Sequence, residues 1–233
     1  MQPDGTMVFL LDVDNTLLDN DRVQDDLSDH LAAQFGAGIR DRYWQIFEEL
    51  RGELGYADYL GALQRYRTVE LRDDGTNDPR LLQMSSFLVD YPFVERVYPG
   101  ALEAIEHLSR WGRTVILSDG DVVFQPRKVQ RSGLWRAVGG RVLIYIHKEQ
   151  MLADVLRRYP ADHYVLVDDK LRILAAVKRA LGARLTTVFP RQGHYALDPR
   201  ILAAYPAADL TVECIGELAQ HDFSRLLPAG GDA

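Results

Sequence analysis

Met7-Val8-Phe9-Leu10-Leu11-Asp12-Val13-Asp14-Asn15-Thr16 runs five apolar residues straight into two carboxylates, an amide and a hydroxyl. An unbroken apolar run of that length, with no polar alternation, reads as a strand buried on both faces, as in a parallel sheet. Its sudden polar end is where such a strand leaves the core. The same pattern recurs outward along the chain at 114–117, 141–146, 164–167, 185–189 and, more weakly, 210–212. Between these runs apolar residues recur at helical spacing: Leu102, Ile105 and Leu108; Met151, Leu152, Val155 and Leu156; Ile173, Leu174, Val177 and Leu181. Strands alternating with helices predict an α/β fold, a doubly wound parallel sheet with right-handed crossovers. Ligands of such folds bind beyond the carboxyl ends of the strands.

One interval breaks the rhythm. Residues 18–94 hold no convincing buried strand, only amphipathic stretches at 27–35, 43–50, 57–66 and 80–88 and a turn-rich piece at 73–79. This predicts a small helical lobe, residues 18–94, inserted into a core made of 1–17 and 95–233. The Pro-Ala-Gly-Gly-Asp-Ala tail after Leu227 reads as frayed.

The chain has 233 residues, 47% of them apolar, enough for one sizeable core plus an insertion. A formal net charge of −7 argues against a phosphate-backbone footprint, so no nucleic-acid partner is expected. It leaves small anionic substrates open, since a few local cations serve those. Cys214 is the one cysteine, which excludes an intramolecular disulfide and suits a reducing compartment. It reads as a small core residue beside a late strand. The start of the chain lacks the basic and apolar regions of a signal peptide, and no apolar run approaches the roughly 20 residues that cross a bilayer. A cytoplasmic protein without a membrane partner is the expectation.

Four strand ends carry chemistry. Asp12 and Asp14 follow the first. A carboxylate is a competent nucleophile toward phosphorus, giving an aspartyl-phosphate. A second carboxylate nearby can protonate the leaving oxygen and later deprotonate water. The second strand ends in Ser118-Asp119-Gly120-Asp121, where a hydroxyl and turn N–H groups suit phosphate oxygens. The third ends in His147-Lys148, whose lysine can neutralise phosphate, while His147 reads as packing or facing solvent. The fourth ends in Asp168-Asp169-Lys170. With Asp12 and Asp14 these carboxylates supply hard oxygen ligands suited to Mg²⁺, which would offset their mutual repulsion. In a parallel sheet all four ends share one edge.

In that order, Asp-x-Asp-x-Thr (Asp12, Asp14, Thr16), Ser118, Lys148 and Asp168-Asp169 resemble the four motifs of the haloacid dehalogenase superfamily, and the insertion resembles its helical cap. The resemblance spans nearly the whole chain. It implies a Rossmann-like core, Asp12 as nucleophile and Asp14 as general acid/base. It further implies Mg²⁺ held by Asp12, the backbone carbonyl of Asp14 and Asp169, with Asp168 sharing or replacing a ligand, and phosphate held by Ser118 and Lys148. The dehalogenase branch lacks the second aspartate, because halide leaves without a proton; Asp14 therefore favours a phosphatase acting on a small phosphorylated metabolite. Two departures stand out. Many relatives carry another acid four or five residues beyond the fourth motif, where this chain has Ile173 and Leu174. Lys128, in Gln125-Pro126-Arg127-Lys128, competes with Lys148 for the third motif.

Arg22, Arg42, Tyr43, Trp44, Arg51, Tyr56 and Arg67 are the candidates for substrate recognition from the insertion, and 191–195 can approach the same edge. The leading expectation is phosphomonoester hydrolysis. A phosphomutase, a 2-haloacid dehalogenase and a catalytically silent binding protein of the same fold are the competitors.

Overall fold

The computed structural model describes residues 7–70 and 79–226. Six strands form one sheet with every neighbouring pair parallel: β1 (Met7–Leu11), β2 (Arg113–Asp119), β3 (Val142–Tyr145), β4 (His163–Val167), β5 (Leu185–Pro190) and β6 (Leu210–Val212). Their order is β3-β2-β1-β4-β5-β6, so the chain winds one way from β1 and then returns to β1's other side. β1 is apolar throughout because it is central and covered on both faces. Its side chains alternate: Met7, Phe9 and Leu11 belong to one apolar cluster, Val8 and Leu10 to the other. Phe9 lies edge-on to Phe223, ring centroids 5.2 Å apart, and truncating so buried a ring to Ala costs about 3–5 kcal/mol.

The interval 18–94 carries α1 (Asn20–Phe35), α2 (Ala37–Leu54), α3 (Tyr59–Glu70) and α4 (Pro79–Asp90). They are followed by α5 (Ala101–Leu108), α6 (Phe124–Arg131), α7 (Leu134–Ala137), α8 (Leu152–Arg158), α9 (Leu171–Leu181), α10 (Gly193–Leu197) and α11 (Pro199–Ala204). On α9, Leu171, Leu174 and Val177 are buried at helical spacing and join the cluster of Val8 and Leu10; Ala101, Ala104, Ile105 and Leu108 of α5 join that of Phe9.

Among its described residues the interval without a buried strand is mostly helical. The stretch 57–66 becomes helical only from Tyr59, because the Asp58 carboxylate accepts the Gly61 N–H at 2.7 Å and caps the first turn. Residues 73–78 of the turn-rich piece and the tail from 227 lie outside the described residues. The insertion leaves and re-enters the core side by side. Leu18 bridges Val97, the Asp19 N–H donates to the Arg96 carbonyl at 2.7 Å, and the Tyr98 N–H donates to the Leu17 carbonyl at 3.0 Å.

Cys214 corrects an expectation: it is exposed, because the chain has already passed the end of the edge strand β6. Among the described residues no helix is long and apolar enough to cross a membrane.

Candidate active site

β1 and β4 flank the point where the winding reverses, which is where the crevice of such a sheet opens. Leu11 pairs with Val167, so Asp12 and Asp168 leave the sheet at the same level. The Asp12 N–H still donates to the Val167 carbonyl at 3.0 Å and the Asp168 N–H to the Val188 carbonyl at 3.2 Å, which fixes both backbones. Thr16 ties the first loop to the fourth: its Oγ1 accepts the Asp169 N–H at 3.0 Å.

Lys148 is buried between these groups. Its Nζ donates to Asp12 Oδ1 and to the Leu117 carbonyl at 3.3 Å, and lies 2.7 Å from Asp168 Oδ2. Its backbone N–H donates to Asp119 Oδ1 at 2.7 Å, so the end of β2 places the loop after β3. Burial alone would lower the Lys148 ammonium, but Asp12, Asp168 and Asp119 reverse this and hold it above its usual range. Burial pushes the Asp12 carboxyl up to about 6 against the pull of Lys148. Burial likewise raises Asp169 well above the carboxylate range.

Asp14 sits apart. It is partly exposed, its Oδ1 accepts from Lys128 Nζ at 2.7 Å, and its Oδ2 lies 3.4 Å from Gln125 Nε2. Ser118 Oγ accepts from the same Gln125 Nε2 at 2.9 Å. Of the two rival lysines, Lys148 therefore lies beside Asp12 and Lys128 beside Asp14. Lys170 lies on the other flank, its Nζ 5.4 Å from the Tyr195 ring centroid.

Asp12, Asp168 and Asp169 each bring a carboxylate oxygen within 4.8 Å of the others. Asp12 Oδ2 and both oxygens of Asp169 are buried without a hydrogen-bond partner. Buried carboxylate oxygens are costly unless something pairs them. At the cluster itself the three carboxylates Asp12, Asp168 and Asp169 face the buried ammonium of Lys148, so that when ionised they leave an excess of negative charge that a divalent cation would offset. Hard oxygen donors and that charge fit such an ion.

Above this edge lies a cavity of about 380 Å³ between the insertion and the core. Asp14, Asp119, Lys170 and Tyr195 line it from the core, and Arg51 and Tyr56 from the insertion. Arg51 donates to the Tyr195 hydroxyl at 2.6 Å across it, so the 191–195 segment does reach the site. Other insertion candidates point elsewhere. Tyr43 is fully buried and donates to the Tyr59 carbonyl at 2.9 Å; Trp44 packs edge-on against Tyr43 and Phe47. Arg22 pairs with Asp26 and Arg42 with Glu70. Arg67 lies on α3 and is not among the residues that line the cavity. His147 packs toward Gly55, where an added Cβ would meet its Cε1 at 2.8 Å.

Sequence reasoning missed Asn15, Asn20 and Gln125. Asn15 has φ 59°, and its Oδ1 accepts the N–H groups of Asn20 and Asp21 at 3.0 and 3.1 Å, capping α1. A polar Asn between two acids and a helix start was the available signal. Gln125 and Lys128 share one face of α6 directly after the second strand end, a spacing that was also on view.

Residues 6–180 match the model of the haloacid dehalogenase-like hydrolase family. No curated protein matches the chain. Among solved structures, a haloacid dehalogenase-like hydrolase of Burkholderia xenovorans LB400 is 67% identical over 94% of this chain and 99% of its own, with a TM-score of 0.88. L-2-haloacid dehalogenase of Xanthobacter autotrophicus is 20% identical over 93% of this chain and 97% of its own, TM-score 0.58. The HAD-hydrolase YfnB of Bacillus subtilis, bound to magnesium, is 16% identical over 93% and 98%, TM-score 0.60. The last two likenesses are of fold alone.

Proposed function

The chain belongs to the haloacid dehalogenase-like hydrolase family, and from that footing we propose that it hydrolyses a small phosphomonoester with Mg²⁺, through an aspartyl-phosphate on Asp12. The observation that carries this reading is Asp14, a carboxylate on the cavity wall two residues past the buried Asp12. Displacement of halide has no use for it, whereas an alkoxide leaving group needs its proton.

In this reading Asp12 attacks phosphorus, and the P–O bond to the leaving group breaks as Asp14 gives that oxygen a proton. Water, deprotonated by Asp14, then attacks the aspartyl-phosphate and releases inorganic phosphate, which restores Asp12. Ser118 and Lys148 hold phosphoryl oxygens. Asp12, Asp169 and the Asp14 carbonyl would hold the metal. Asp168 serves instead to orient Lys148, since its Oδ1 already accepts the Lys170 N–H at 2.9 Å and its Oδ2, though it accepts no hydrogen bond, is ion-paired with Lys148 Nζ at 2.7 Å, whereas neither Asp169 oxygen has a hydrogen-bond or ion-pair partner among the described residues. Bound Mg²⁺ would offset the carboxylate charge and polarise the phosphoryl group. The insertion, residues 18–94, acts as the cap over the cavity. A lone cysteine suits a reducing compartment, so the substrate is taken to be a cytoplasmic metabolite.

The second reading is dehalogenation of a 2-haloacid, since the buried Asp12 and Lys148 suit attack at carbon equally well. Release of phosphate from p-nitrophenyl phosphate, compared with halide from 2-chloropropionate, with and without Mg²⁺, separates the two. Mg²⁺-dependent phosphate release that Asp12→Asn abolishes is the expected result. Halide release alone would overturn it.

A further inference from the structure

Lys128 is wholly buried, a costly place for an ammonium. Its Nζ donates to Asp14 Oδ1 at 2.7 Å and to Asn20 Oδ1 at 2.9 Å. The rings of Tyr59 and Phe124 flank it at 5.9 and 5.5 Å. An apolar side chain would fill the same space without the desolvation cost. What Lys128 adds is a fixed place for one carboxylate oxygen. The turn before it supplies the other contact: Gln125 Nε2 donates to Ser118 Oγ at 2.9 Å and reaches Asp14 Oδ2 at 3.4 Å. Thus α6 reaches both oxygens of Asp14 from positions three apart.

The grip continues into the insertion. Asn20 opens α1 and donates its Nδ2 to the Tyr59 hydroxyl at 3.3 Å, and Tyr59 opens α3. The chain Asp14–Lys128–Asn20–Tyr59 therefore joins the site to the helices that roof it.

We propose that Lys128 is a positioning residue for Asp14, aiming its carboxyl at the leaving oxygen, and that Lys128 is itself held in place by the insertion through Asn20. This rests on the phosphatase reading. Misplacing Asp14 weakens proton delivery, so the loss grows as the leaving group becomes harder to expel. A merely structural role would lower all substrates together.

The test is kcat/KM with Mg²⁺ for aryl phosphates of one shape whose phenols run from p-nitrophenol to phenol, alongside thermal unfolding of each protein. For Lys128→Met the loss on phenyl phosphate is expected to exceed that on p-nitrophenyl phosphate by about tenfold, and Lys128→Arg restores part of the difference. Asn20→Ala, which keeps Lys128, shows the same trend at smaller size and carries the comparison if Lys128→Met fails to fold. Equal fractional losses across the series, in either folded variant, overturn the inference and leave the phosphatase reading standing. No phosphate release by the unmodified protein from any member overturns both.

Discussion

Lys148 Nζ lies 2.7 Å from Asp168 Oδ2 while also donating to Asp12, so a single ammonium from the loop after β3 binds carboxylates at the ends of two adjacent strands. Removing it leaves two buried carboxylates facing one another. Lys148→Met is therefore expected to lose at least about a hundredfold in kcat, and to destabilise the metal-free protein by about 3–5 kcal/mol. Added Mg²⁺ should recover part of the stability and none of the turnover. Calorimetric unfolding with and without Mg²⁺, beside steady-state kinetics, reads both quantities. Retention of full activity would remove Lys148 from the site.

Asp12 sets the pH response. Its folded-state carboxyl, raised by burial from the ordinary 3.8 to about 6, binds a proton more tightly than the unfolded chain does. Asp169 shifts in the same direction. Stability then falls as pH rises wherever the folded state holds more protons. The metal-free protein should thus lose stability between about pH 4 and 6, and Mg²⁺, which needs the ionised carboxylates, should bind more tightly across that window. Titration calorimetry at pH 5 and 7 should show affinity rising with pH and protons released on binding. Asp169→Asn should flatten the dependence and abolish tight binding. A pH-independent affinity would remove these carboxylates from the metal site.

Asn15 joins the core to the insertion through backbone groups. It holds φ 59° while capping α1, and Gly193, at φ +70°, would place a Cβ 2.5 Å from the Asn15 Cβ. Only glycine fits there without displacing the cap. Asn15→Ala should cost about 1–2 kcal/mol, and Gly193→Ala should destabilise by a similar or larger amount through both the clash and the strained backbone. The double variant should cost less than the sum, because Asn15→Ala already removes the amide cap that a Gly193 Cβ would displace, while the Cβ–Cβ clash remains. Denaturant unfolding of the three proteins checks this.

How far the sequence reveals this arrangement depends on what kind of constraint acts. β1, β2 and β4 are buried on both faces, so each appears as an apolar run, and the polar residue that ends each run lands on the shared edge. Asp12, Ser118 and Asp168 are legible for that reason. Lys128 stands out in the sequence only as a rival to Lys148; its place beside Asp14 is not legible, because the two are 114 positions apart and only the docking of α6 brings them together. Tyr43 shows the same limit from the other side. An amphipathic pattern marks a buried face but cannot tell the insertion's own core from the cavity wall, and Tyr43 belongs to the former. Cys214 reads as core from its neighbour β6, but the three residues of that strand end before it and it lies exposed.

Arg51 and Tyr195 give the last prediction. The Arg51 guanidinium donates to the Tyr195 hydroxyl at 2.6 Å and pairs with the mostly exposed Glu48 at 3.1 Å, so its nearest carboxylate is a weak, solvated competitor. A substrate anion entering the cavity can take that place, since charge-assisted contacts to a guanidinium are stronger than those to a hydroxyl. Arg51→Ala should therefore raise KM by about tenfold or more for phosphomonoesters that carry a second anionic group, a loss of about 1.5–3 kcal/mol, with kcat nearly unchanged. For p-nitrophenyl phosphate, which lacks that group, KM should hardly move. Tyr195→Phe, which frees the guanidinium without removing it, should leave the preference for anionic substrates intact. Parallel kinetics on one dianionic and one further-charged ester decide the matter, and an equal effect of Arg51→Ala on both would mean that Arg51 only braces the cavity.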